Sequence, residues 1–122
     1  MLVDTNDAKF HVGEKWSYRT RPGDESSTFT VVKVESNDKL GVIVHISVEG
    51  LRTLGVVAHM PFAEAAIEKS VTTLVAKSAP LPDFDDGYRA WRAAFDSGKG
   101  GVFSITVGEG IVFVEKTLMK GT

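Results

Sequence analysis

The sequence predicts an α+β fold, an N-terminal antiparallel β-meander of three to four strands packed by two to three helices from the C-terminal half. Three observations carry that reading. Apolar residues alternate with polar ones between Lys15 and Glu49; the period changes at Pro61; and Phe84, Tyr88, Trp91 and Phe95 recur at helical spacing. Strands gathered in one half and helices in the other favour α+β over a parallel sheet with crossover helices.

The first strand is Lys15-Trp16-Ser17-Tyr18-Arg19-Thr20, whose period of two turns Trp16 and Tyr18 inward and Arg19 outward. It ends at Arg21-Pro22-Gly23-Asp24, where Pro sets φ for a turn and Gly tolerates positive φ at the next position. The chain then reverses into a β-branched run from Phe29 to Glu35. The polar Ser36-Asn37-Asp38-Lys39 leads to a third strand, Leu40 to Glu49, with Leu40, Val42, Val44, Ile46 and Val48 on one face. Strands joined by such short turns pair antiparallel. A fourth, short strand lies around Leu51 to Val57, its ends blurred by Gly50 and Gly55.

From Pro61 to Lys77 the residues Phe62, Ala66, Ile67, Val71, Leu74 and Val75 fall on one helical face, and a proline at the first helical position loses no needed donor. Ser78-Ala79-Pro80-Leu81-Pro82 cannot continue that helix. Asp83 offers an acceptor to start the next one, Asp85 and Asp86 suit its positive end, and Gly98 stops it. Both helices are expected to cover the apolar face of the meander. The tail admits two readings. In one, Val102 to Val107 and Ile111 to Lys116 form a hairpin. In the other, preferred reading, Val102 to Ile105 is a strand and Thr106 caps a helix, with Glu109 completing the capping box and Val107, Ile111, Val114 and Leu118 as its seam.

A chain of 122 residues has room for one domain, residues 1–122, and buries roughly two thirds of its unfolded surface. Its 43% apolar and 25% charged residues match globular proteins and not disordered ones. The 16 acids and 14 bases are spread evenly, which disfavours nucleic-acid binding, since phosphate recognition concentrates Lys and Arg. The apolar runs fall far short of the roughly 20 residues that span a bilayer, so no membrane association is expected. Met1 to Asp7 lacks the basic and apolar regions of a secretion signal, and there is no cysteine; both suit a cytoplasmic protein.

Chemistry is sparse. His11, His45 and His59 are the side chains whose ordinary pKa lies near neutrality, and His45 shares a strand face with Ser47 and Glu49. Neighbours two apart on one strand lie roughly 6 to 7 Å apart, too far for direct proton transfer. His59 joins His45 only if the segment before Pro61, read as a loop, folds back over the sheet. No HExxH-like spacing supports a metal site, the acids at 83, 85 and 86 lack a calcium-loop pattern, and Gly98-Lys99-Gly100-Gly101 lacks the spacing of a phosphate loop. No catalytic residue, metal or cofactor is therefore expected. Arg19 and Arg21 suit anion recognition. Trp91, flanked by Arg89 and Arg92, suits a protein contact, because Trp and Arg dominate interaction hot spots.

Three function classes follow. The first is a non-catalytic protein-binding module, an inhibitor or immunity-type factor or a homodimerising domain, whose partner is another protein or a second copy. The second is a small-ligand binder with a pocket between sheet and helices lined by Trp16, Tyr18, Tyr88 and Trp91. The third is an acid-base hydrolase using His45, Glu49 and His59.

Overall fold

The computed structural model describes residues 1–120. Its strands are β1 (Val3–Asp4), β2 (Lys15–Tyr18), β3 (Thr28–Asn37), β4 (Gly41–Leu51), β5 (Gly55–Ala63) and β6 (Val71–Ala76). Its helices are α1 (Glu64–Ser70), α2 (Asp85–Asp96) and α3 (Val107–Lys120). The strands make one sheet in the order β5-β4-β3-β2-β6, with β1 added to β3, and every named pair is antiparallel. This is the predicted α+β meander, with the helices mostly in the C-terminal half. Among the described residues no helix is long and apolar enough to cross a membrane.

The largest departure lies between Pro61 and Lys77, where one long helix was expected. Strand β5 runs on through Pro61 to Ala63, α1 is only two turns, and the β-branched run Val71-Thr72-Thr73 opens strand β6 against β2. Pro61 is tolerated because β5 is an edge. Its carbonyl accepts from the Phe103 N–H at 2.9 Å on the outer side, and in a strand the N–H of a residue points the same way as its C=O. The missing donor therefore faces away from β4. Helix α1 stops at Ser70, whose hydroxyl donates to the Ala66 carbonyl at 2.8 Å and accepts from the Val107 N–H at 3.0 Å, tying the end of α1 to the start of α3.

The tail resolves as the helix. Thr106 Oγ1 accepts from the Glu109 N–H at 3.3 Å while Glu109 Oε1 accepts from the Thr106 N–H at 3.0 Å, a reciprocal capping box. Val107 and Ile111 are buried and Val114 partly so, but Leu118 on the same stripe is exposed. The strand expected at Val102 to Ile105 reduces to one parallel bridge between Phe103 and Phe62.

The helices divide between the two faces of the sheet, contrary to the expectation that both would cover the apolar one. Phe29, Val31, Val34, Val44, Ile46, Val48, Met60 and Phe62 form a dry layer with Ala66 and Ile67 of α1 and Val107 and Ile111 of α3. Tyr18 and Trp16 belong to this side. Helix α2 lies across the opposite face, over His45.

Candidate functional site

A bulge in β3 creates the polar face beneath α2. Val31 pairs with Ile46 and Lys33 with His45, so one extra residue at Val32 shifts the alternation and sets Thr30, Lys33 and Glu35 on the face that carries Ser47, His45 and Ile43. Strand β5 carries a compensating irregularity between Met60 and Val57, beside His59. His59 thus belongs to a strand adjacent to His45, not to a loop folded over the sheet.

The side chains form a continuous chain of hydrogen bonds. Glu35 Oε1 meets His45 Nε2 at 2.9 Å, and His45 Nδ1 meets His59 Nε2 at 2.8 Å. The Tyr88 hydroxyl on α2 donates to Glu35 Oε2 at 2.9 Å and accepts from Arg92 Nη1 at 3.2 Å, which itself lies 3.8 Å from Glu35 Oε2. Trp91 stands edge-on to the His45 ring, with centroids 4.9 Å apart, and its Nε1–H donates to the Gly101 carbonyl at 2.8 Å. The two imidazoles stack at 5.1 Å. Lys33 lies 5.2 Å from the Tyr88 ring centre and pairs with Asp4 of β1 at 3.0 Å. Gly87 lets the α2 backbone approach, since a Cβ there would stand 2.8 Å from His59 Cβ.

Burial makes these bonds obligatory. His45 is 0% and Glu35 2% exposed, and among the described residues no buried side-chain nitrogen or oxygen lacks a partner. Burial alone would raise Glu35, but hydrogen bonds from His45 and Tyr88 and the charge of Lys33 hold it below the ordinary carboxylate value. Burial, together with the neighbouring His45, pushes His59 down to about 4. Burial and the Glu35 carboxylate raise the Tyr88 phenol. When both rings are neutral, one proton arrangement satisfies the chain. The carboxylate can only accept, so His45 Nε2 carries a hydrogen; His45 Nδ1 then accepts from His59 Nε2–H, and His59 Nδ1 keeps its lone pair.

Of the residues singled out from sequence, the structure brings together His45, His59, Trp91 and Arg92. Arg89 is exposed on α2 and carries no ion pair among the described residues. Arg19 and Arg21 lie elsewhere: the Arg19 guanidinium donates to the Lys69 carbonyl near the end of α1, and Arg21 pairs with Asp24 and Glu115. Glu49 pairs with Lys15 at 2.7 Å and does not reach the histidines. Trp16 and Tyr18 are separated by the sheet from Tyr88 and Trp91, so these four line no common pocket. Glu35 is the functional candidate that sequence reasoning missed. Its signal was the Lys33, Glu35 spacing, which keeps two charges on one face in any register.

Open clefts occur away from the cluster. One of about 430 Å³ lies between Asn37 to Leu40 and Phe95 to Gly100, and another of about 420 Å³ between Arg21, Arg52 and Glu115. Neither is lined by Glu35, His45, His59, Tyr88 or Trp91. Among the described residues no three His, Asp or Glu side chains are grouped to hold a metal ion. No protein-family model, curated protein or solved structure matches the chain.

Proposed function

We propose that this chain is a non-catalytic protein-binding domain whose contact face is the outward flank of α2. The observation that supports it is the incomplete cover of that helix. Tyr88 and Trp91 of its aromatic seam lie against the sheet, with Phe84 and Phe95 packed on them, yet no residue of α2 is fully buried, and exposed Arg89 has no ion pair among the described residues. Half-covered aromatics next to an arginine are the composition of an interaction hot spot.

The buried Glu-His-His chain supports binding over catalysis. Glu35 and His45 are buried, and both oxygens of the one and both ring nitrogens of the other are already bonded to protein groups, which leaves neither side chain open to a substrate. The chain positions α2 instead.

A photo-crosslinking residue at position 89, with a second at exposed Thr117 on α3 as reference, tests the proposal in cells of the source organism. The expected result is a discrete protein adduct from position 89 that is absent from position 117 and lost when Phe84→Ala is added. Equal labelling from both positions would overturn it. Sedimentation of the purified chain separates a foreign partner from a second copy.

A further inference from the structure

We propose that Glu35, His45, His59 and Tyr88 form a proton-sensitive clasp, so that protonation of His59 releases α2 from the sheet while the apolar layer beneath α1 and α3 stays folded. The proposal concerns how α2 is seated and holds whether or not α2 meets a partner.

Geometry supplies the first argument. Of the four imidazole nitrogens, His59 Nδ1 is the one with no hydrogen-bond partner among the described residues, so a further proton enters there or is passed inward along the 2.8 Å contact to His45. Either way one more positive charge is placed under α2. The groups that face it are Lys33 and Glu35 from β3, His45 from β4, and Tyr88 and Arg92 from α2, with Asp4 of β1 engaged by Lys33. The one carboxylate among them that faces the histidines is Glu35, and it already receives His45 and Tyr88 with Arg92 alongside. The added charge finds no unpaired anion in the cluster.

Space supplies the second. The α2 backbone at Gly87 closes over His59 so tightly that a single added carbon would stand 2.8 Å from its Cβ. His59 is itself only partly exposed, so an imidazolium there is incompletely hydrated while the helix stays in place. Helix α2 can leave as a unit, because it contributes no residue to the dry core and is joined on each side by a segment without regular helix or strand, residues 77–84 and 97–106.

The titration agrees in sign. A histidine held at about 4 when α2 is closed, against 6.5 in water, favours the closed form above pH 6.5 and loses that preference as pH falls toward 4. Glu35, held below the ordinary carboxylate value of 4.5, adds to the release only at lower pH. The range between pH 7.5 and 5 therefore separates His59 from Glu35.

Amide hydrogen exchange of the full chain, expressed as protection factors to remove the intrinsic effect of pH, tests the clasp. Protection of α2 is expected to fall roughly 30-fold between pH 7.5 and 5 by linkage, while β3 and β4 stay unchanged. His59→Gln, which can still donate to His45 Nδ1 but does not titrate, should abolish the fall. Tyr88→Phe should lower α2 protection at every pH while keeping the slope. A flat wild-type profile, a fall shared equally by β4, an unchanged slope in His59→Gln, or Tyr88→Phe protection equal to wild type would each overturn the proposal.

Discussion

The two faces of one sheet are closed by different physics. Beneath α1 and α3, Phe29, Val31, Ile46, Phe62, Ile67 and Ile111 are all buried to within 1% and held by non-directional contact. Beneath α2, Lys33, Glu35, His45 and His59 meet Tyr88, Trp91 and Arg92 through directed hydrogen bonds and ring edges. An apolar layer tolerates small shifts and loses stability in proportion to the area exposed. A buried polar network is all or nothing, since each broken bond strands a desolvated partner. The first face is suited to defining the fold, the second to holding one helix in one place.

Substitutions can break this contrast, beginning with the dry face. Phe62→Ala should cost about 3–5 kcal/mol and lower the denaturant midpoint of the whole chain, because Phe62 is 0% exposed and packs on Phe103. On the polar face, Glu35→Gln should cost about 1–3 kcal/mol, leaving His45 or Tyr88 without its acceptor. Its effect should appear as lost exchange protection in α2 with little change in β4. Gly87→Ala sharpens the same point through its sign. Alanine favours a helix interior by about 1 kcal/mol, yet here its Cβ would meet His59 at 2.8 Å. The variant should therefore be less stable than the parent by thermal melting. Thr106→Ala, which removes half of the α3 capping box, should cost about 1 kcal/mol. Asp96→Ala should cost least, at most a few tenths of a kcal/mol, since it removes only the exposed pair with Arg92.

The sequence made some of this legible and not the rest, for identifiable reasons. Alternation from Leu40 to Glu49 placed Val44, Ile46 and Val48 together and His45 opposite them, as found. The Thr106 and Glu109 spacing carried the α3 cap. The stretch after Pro61 misled because its apolar residues fit a 3.6-residue period, while Val71 to Val75 also has the β-branched composition of a strand; pairing with β2 decided between them. The aromatic seam of α2 was readable as a helix face but not as the cover of a polar surface, since periodicity does not say which side of a sheet a helix will meet. Glu35 was hidden by the bulge at Val32, which strict alternation cannot anticipate. His59 was named, but its place on a strand was hidden because Pro61 reads as the start of a helix, whereas on an edge its missing donor costs nothing.

The central claim is that α2 is a separately held layer on a core that does not depend on it. Native-state hydrogen exchange at pH 7 in increasing denaturant tests this most directly. Amides of α2, from Tyr88 to Asp96, should open with a lower free energy and a weaker denaturant dependence than those of Val31 and Ile46. Exchange of both sets along a single isotherm, from the lowest denaturant concentration upward, would contradict the account.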